Sequence, residues 1–297
     1  MTCHNCAASC RAHGRNRNGT RRYRCPTCRK TFSESRRTIG NMYLPIDKAL
    51  LAVHLLVEGN SIRSTSRIVG IEQNTISSLL LHAGEGCAEL LRNRIRAVPV
   101  SHLELDEIWT FVLKKQKRVM YGDPKTVGDA YCYIALDRGS RLVVAYHLGK
   151  RDDQNTVRFI RKVRAATAGT CQISTDAYAA YQPAIGLLLE DRASHAKIVK
   201  AVGPGRIEAG IGQPNLDETE TTYVERLNGT LRQHSKRLTR KTYAFSKRWK
   251  MLDAALALFF AHYNWCWVQR TLKTTPAVAA GLASEPWTLE ELLTESA

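Results

Sequence analysis

The sequence predicts a multidomain chain of three folded parts: a small Cys/Arg-rich module over 1–40, an all-α region over 44–97, and an α/β domain over 101–297 that closes with helices. Three observations predict it. Two Cys-x2-Cys pairs open the chain, residues 46–84 carry apolar side chains at helical spacing, and residues 101–182 alternate between strand and helix patterns. With 297 residues and an apolar fraction of 44%, there is material for a core of ordinary size beside one or two small modules.

Charge narrows the partners. The net charge is +17, and it is concentrated. Residues 1–43 hold ten Lys/Arg against one acid, Glu34, and residues 225–250 hold nine against Glu225, whereas 44–100 are nearly balanced. Two separate basic footprints point to a long polyanion touched in more than one place. The longest apolar stretches, near 49–57 and 254–261, fall short of the roughly 20 residues a membrane span needs. The N-terminus offers cysteines and arginines where a signal peptide needs an apolar run. The expectation is a cytoplasmic, non-secreted chain with no membrane partner, in which paired cysteines bind metal.

In the first part, Cys3-x2-Cys6 and Cys25-x2-Cys28 stand eighteen residues apart. Each pair presents two thiolates from one turn, and two turns complete a tetrahedral Zn²⁺ site, so 1–40 reads as a zinc ribbon with a structural ion. Cys10 could pair with Cys6 instead, but the two Cys-x2-Cys turns are preferred. Arg21, Arg22 and Arg24, between the knuckles, suit phosphate contact. Cys87, Cys132, Cys171 and Cys266 read as small core residues.

In the second part, Pro45 suits a helix start, Ile46, Leu50, Val53 and Val57 follow at helical spacing, and Gly59 ends the run. A second helix fits 61–69. After the Gly70-Ile71-Glu72 turn, a third fits 73–84 with Ile76, Leu79 and Leu80 inward. This is a helix-turn-helix pattern, in which Gln73, Asn74, Thr75, Ser77 and Ser78 begin or line a DNA-reading helix; an ordinary three-helix bundle is the alternative.

In the third part, 101–113 has strand composition, with Leu103, Leu105, Trp109 and Phe111 on one face and Asp106 on the other. Residues 130–148 form a hairpin turning at Asp137-Arg138-Gly139-Ser140. A helix fits 152–166, a short strand runs from Cys171 to Asp176, and a helix pattern follows from Ala177. Strand, hairpin, helix, strand, helix is the order of an RNase H-like core, which brings carboxylates on the first and fourth strands together. A Gly/Pro-rich loop over 203–220 follows. Then Val224, Leu227 and Leu231 mark a helix that carries Glu225, with Arg232, Lys236 and Arg237 placed to hold phosphates. Trp249 to Trp267 is apolar at helical spacing and reads as a core helix in preference to a dimer surface.

Asp106, Asp176 and Glu225 are the candidate catalytic acids. Converging carboxylates repel unless metal neutralises them, and hard oxygen ligands suit two Mg²⁺ or Mn²⁺ ions. Each acid has a structural alternative, as a strand-end surface residue, an N-cap or first-turn dipole compensation. Glu104, Glu107, Asp137, Asp152, Asp153, Asp217 and Glu220 compete, and composition does not choose among them.

Leu105-Asp106-Glu107-Ile108-Trp109, Ser174-Thr175-Asp176-Ala177-Tyr178 with Tyr181, and the run YVERLNGTLRQHSKRLTRKTYAFSK from Tyr223 to Lys247 resemble transposases of the insertion-sequence-one family, nearly end to end. The resemblance implies a DDE transposase with an RNase H-like catalytic domain, Asp106, Asp176 and Glu225 as its acids, and a ribbon and helix-turn-helix that recognise element ends. The expected partners are double-stranded DNA, both element ends and target, and further copies of the chain. The alternative is a catalytically inactive DNA-binding regulator derived from a transposase. Forty-eight residues separate Asp176 from Glu225, more than is usual in the family, and the excess falls in 203–220.

Overall fold

Forty-four Lys/Arg leave a chain of this length dependent on a few dense apolar segments, and these segments form the core. The computed structural model describes residues 1–17, 20–33, 39, 42, 44–199 and 206–296. They fall into two units, Met1–Ile46 and Asp47–Ala297.

In the first unit, β1 (Arg11–Arg15), β2 (Arg21–Arg24) and β3 (Thr31–Ser33) form an antiparallel sheet in sequence order. Its strands are short and largely exposed, so the sheet has almost no apolar interior. The residues just after each Cys-x2-Cys pair, Ala7 and Arg29, have positive φ (56° and 58°), which folds each pair back on itself. Glu34 lies outside the described residues.

The second unit begins with α1 (Ile46–Val57), α2 (Ile62–Val69) and α3 (Gln73–Arg94). On α1 the buried face is Ala49, Ala52, Val53 and Val57, one step round from the expected stripe, leaving Ile46 and Leu50 half-buried. α3 runs ten residues past the expected end at Gly84. A Cβ on Gly84 would stand 2.3 Å from the Ala254 carbonyl oxygen, so this glycine is where two helix backbones touch, and the helix continues through it. Ile76, Leu79 and Leu80 are buried as expected.

Two-residue strands β4 (Val98–Pro99) and β8 (Thr167–Ala168) pair in parallel at the entrance to the α/β part. The main sheet contains β5 (His102–Val112), β6 (Gly128–Asp137), β7 (Val143–Gly149), β9 (Cys171–Asp176), β10 (Ala193–Val199) and β11 (Arg206–Ile211). Their order is β11-β10-β9-β5-β6-β7. β5 pairs antiparallel with β6 and parallel with β9, and β9 pairs parallel with β10. The anticipated hairpin and the helix over 152–166 are present, the latter as α4 (Asp153–Ala166), capped by the Asp152 side chain.

Two expectations need correction. α5 spans Tyr181–Leu189 and does not start at Ala177, because Asp176 accepts the Tyr178 N–H at 2.9 Å and turns the chain first. The 203–220 segment is not a loop throughout. Arg206–Ile211 pairs antiparallel with β10, and Glu208 pairs with Lys197 at 3.2 Å. The period-two alternation Ile207, Ala209, Ile211 is a strand signal that the surrounding glycines obscure. Gly203, Pro204 and Gly205 lie outside the described residues.

α6 (Thr222–His234), α7 (Trp249–Trp265), α8 (Pro276–Ala279) and α9 (Leu289–Glu295) complete the chain. α7 buries Leu252, Leu256, Phe260 and Trp265 among others, and packs on α3 and on β7, in keeping with a core helix. Asn264, fully buried, accepts from Val143 N and donates to Val143 O, both at 3.0 Å, which closes the outer edge of β7. No helix among the described residues is long and apolar enough to cross a membrane.

Candidate active site

Strand parity sorts the side chains of β5. Glu104 and Asp106 share one face with α6, whereas Glu107 lies on the other, level with Tyr133 of β6, where Phe159 of α4 and Tyr181 of α5 pack. Leu105 pairs with Thr175, and β9 ends one residue later at Asp176. Past Asp176 no strand among the described residues flanks β5 on this side until Ser246 bridges Val112, which leaves a gap beside Asp106 and Glu107.

Three carboxylates meet there. Asp106, Glu107 and Asp176 each place an oxygen within 4.8 Å of the others. Asp106 Oδ1 accepts the Glu107 N–H (2.8 Å), and Oδ2 accepts Asn228 Nδ2 of α6 (2.8 Å). Burial, with the negative charge of Asp176 and Glu225, pushes the Asp106 carboxyl up to about 6. Burial and Asp176 push Glu107 up to about 8. The Glu107 side chain is 3% exposed, and its Oε1 has no hydrogen-bond partner. An all-oxygen donor set, crowded by its own charge and holding an unsatisfied buried oxygen, fits a hard divalent cation.

Glu225 stands on the first turn of α6 and accepts from Thr221 Oγ1 at 3.0 Å. Its charge reaches Asp106, but it lies outside the group of three. α6 itself is held by Glu104, 1% exposed, whose Oε2 accepts the N–H groups of Tyr223 (2.8 Å) and Val224 (2.9 Å). Burial raises the Glu104 carboxyl to about 7. The approach to α6 is tied down too. Gln172 exchanges hydrogen bonds with both backbone groups of Asn215, Arg138 pairs with Glu220, and the Arg141 guanidinium lies 3.3 Å from the Tyr223 ring centre.

Sequence reasoning missed Arg151. Its guanidinium is 3.6 Å from Glu107 and 3.7 Å from Asp176, and 4.1 Å from the Tyr178 ring centre. Its position at the end of the β7–α4 turn carries no local signal; only the strand order reveals it. Glu104 and Glu107 were competitors without a role. Of the phosphate-binding candidates, Arg232 is half-buried and feels the charge of Asp106, and Lys236 is exposed. Arg237 turns inward to Ser246 Oγ (2.8 Å), and burial lowers it to about 10. Tyr181 is fully buried against the Phe159 and Tyr178 rings.

At the first turn of α3, Gln73, Asn74 and Ser78 are exposed and Thr75 and Ser77 half-exposed, with the Glu72 side chain capping the N–H groups of Asn74 and Thr75.

In the first unit, Cys3, Cys6, Cys25 and Cys28 place all four sulfurs within 4.8 Å, with Cys3–Cys28 at 3.5 Å and Cys6–Cys25 at 3.4 Å. Tetrahedral Zn–S bonds of about 2.3 Å set sulfurs about 3.8 Å apart, so the cage fits zinc. The amides of Asn5 and Cys28 donate to the sulfurs of Cys3 and Cys25 and lower both thiols, Cys25 to about 6. Cys10 donates instead to the Ala8 carbonyl, outside the cage. Arg21 and Arg24 are exposed on β2, with Arg22 half-exposed.

Comparison with known proteins agrees with the α/β part. Residues 127–211 match a DDE domain of the IS240 type; the match spans β6 to β11 and includes Asp176, with Asp106 and Glu225 outside it. No curated protein matches the sequence. Among solved structures, the piggyBac transposase synaptic complex with hairpin DNA is 12% identical, over 84% of this chain and 69% of that one, at a TM-score of 0.41. The mariner Mos1 paired end complex with Mg is 12% identical, over 77% and 74%, at 0.28. At such scores these likenesses are loose, and the weight rests on the domain match. By that match residues 127–211 carry a DDE domain, which supports an enzyme of the DDE transposase type.

Proposed function

We propose that the chain binds the terminal inverted repeats of a mobile element and catalyses metal-dependent strand cleavage and strand transfer, in the manner of insertion-sequence-one transposases. The observation that carries this reading is the side-by-side placement of Asp106 and Asp176 on parallel strands, with α6 bringing Asn228 and Glu225 to Asp106. The sheet order, with β6 antiparallel beside a central β5, supports an RNase H-like core.

In this reading Asp106, Asp176 and Glu225 would hold two Mg²⁺ or Mn²⁺ ions, with Glu107 placing a further oxygen beside Asp106 and Asp176. When bound, such ions activate an attacking oxygen and stabilise the leaving one at a phosphodiester. Asn228 orients the Asp106 carboxylate, leaving Oδ1 free to accept from the backbone and to face the gap. Arg232, beside Asp106, receives a phosphate oxygen, and Lys236 extends the contact. Gln73, Asn74, Thr75 and Ser77 read base edges from the first turn of α3, as in a helix-turn-helix. Arg21, Arg22 and Arg24 of the zinc-held β2 contact the backbone. Two element ends require at least two copies of the chain.

The test is incubation of purified protein with end-containing duplex and Mg²⁺, alongside Asp106→Asn. Nicks and joined products from wild type alone support the proposal. Cleavage retained in Asp106→Asn overturns the site assignment. Tight binding without products from either protein favours the DNA-binding regulator.

A further inference from the structure

β5 does not end at the acidic cluster. It continues through Val112 into a segment, 113–127, that holds five Lys/Arg against Asp123. Asp123 is taken up by Lys114 (2.6 Å) and by the Met120 N–H (2.6 Å). The rest of the segment's charge is exposed: Lys117, Arg118 and Lys125 face solvent. At its tip Tyr121 is wholly exposed, beside Met120 at 73%.

A second basic segment joins it. Residues 236–250 hold seven Lys/Arg and no acid. Ser246 bridges Val112 in parallel, the Leu113 N–H donates to Ser246 O (2.9 Å), and Phe245 packs on Phe111 with ring centres 5.0 Å apart. Arg240, Lys241 and Lys247 are exposed there, and Tyr243 is wholly exposed. Two cation-rich loops, each carrying an unpacked tyrosine, are thus fastened together at the far end of the strand that bears Asp106.

We infer that this paired-loop surface is a second DNA-contact site, which grips duplex flanking the reacting phosphodiester and sets Tyr121 against an exposed base or sugar. The inference rests on the DNA-acting reading above. Cations with no acidic partner suit a phosphate backbone, since binding releases the counterions condensed there. A solvent-exposed aromatic ring gains by stacking on a base face and gains nothing in water. Distance sets the reach. Six residues of strand from Asp106 to Val112 span about 20 Å, or about six base pairs of B-form duplex.

The experiment uses the full chain and a fluorescent 30-base-pair duplex of random sequence, with anisotropy followed against KCl. Lys117→Ala/Arg118→Ala/Lys125→Ala should flatten the slope of log K against log salt by about 2 to 3. On the same duplex extended by a single-stranded overhang, Tyr121→Ala should leave the slope in place and weaken binding about fivefold or more. All these side chains are exposed, and unchanged circular dichroism confirms that the variants fold. An unaltered slope in the triple variant, with salt-dependent binding by wild type, overturns this site and leaves the DNA-acting reading intact. No salt-dependent binding by wild type overturns both.

Discussion

Glu104 fastens α6 to the central strand: its Oε2 lies 2.9 Å from the Val224 N–H and 2.8 Å from the Tyr223 N–H. A carboxylate on a strand thereby caps a helix 119 residues away in sequence, and its bond to Val224 is buried while that to Tyr223 is part-buried. Two residues along the same face sits Asp106, so the clamp and the site share one rigid support. Glu104→Ala leaves two donors unmet and should cost about 2 kcal/mol in urea unfolding. It should also raise the Mg²⁺ concentration needed for cleavage, because Glu225 and Asn228 move with α6. Glu104→Gln keeps one acceptor oxygen and should recover much of both. Equal Mg²⁺ dependence in all three proteins would refute the clamp.

Arg151 acts as an internal counter-charge to Glu107 and Asp176. Arg151→Ala should lower the melting temperature of metal-free protein by a few degrees and enlarge the rise that Mg²⁺ produces, since the ion then relieves more repulsion. Scanning calorimetry with and without Mg²⁺ reads both changes. A smaller rise than wild type would count against this role.

Much of this was legible in the sequence. The Cys-x2-Cys pairs, the strand bearing Asp106, the hairpin, α4 and the strand ending at Asp176 each announce themselves through local spacing. Glu104, Glu107 and Arg151 did not, because their roles depend on which strands are neighbours and where β9 stops. β11 was hidden for a different reason: its alternation lies in a segment whose glycines suggest a turn. The length of α3 was hidden because Gly84, a common helix terminator, serves here as a contact point.

On the proposed zinc reading the first unit should depend on its metal. β1–β3 bury almost nothing, so an ion in the sulfur cage would supply the stability. Atomic absorption should find one zinc per chain in wild type and none in Cys25→Ser, whose 1–46 segment should become sensitive to protease. The 47–297 unit should keep its melting transition. Unchanged zinc content would show that another set of ligands, including Cys10, holds the ion.

Two largely buried histidines, His195 and His262, are lowered to about 4 from an ordinary 6.5, by burial first, with Lys197 acting on His195 and the His54 and His234 rings on His262. Between these values the unfolded chain binds protons that the native protein does not, so stability falls as pH falls through this window. By pH 5 each histidine should contribute a loss of up to about 2 kcal/mol. His262→Gln should show a shallower drop in melting temperature from pH 7 to pH 5 than wild type; an identical drop would locate the proton uptake elsewhere.

The contact between Gly84 and Ala254 turns α3 into a gauge. Twenty-two residues make a rod about 33 Å long. Its rear half is pressed, backbone to backbone, against α7, and α7 is in turn bonded through Asn264 to β7. If the first turn of α3 reads a base, as proposed, that base would lie at a set distance from the carboxylates. Precision in where the DNA is cut would then be a property of helix packing: a larger side chain at position 84 would blur the cut site even where affinity and chemistry survive.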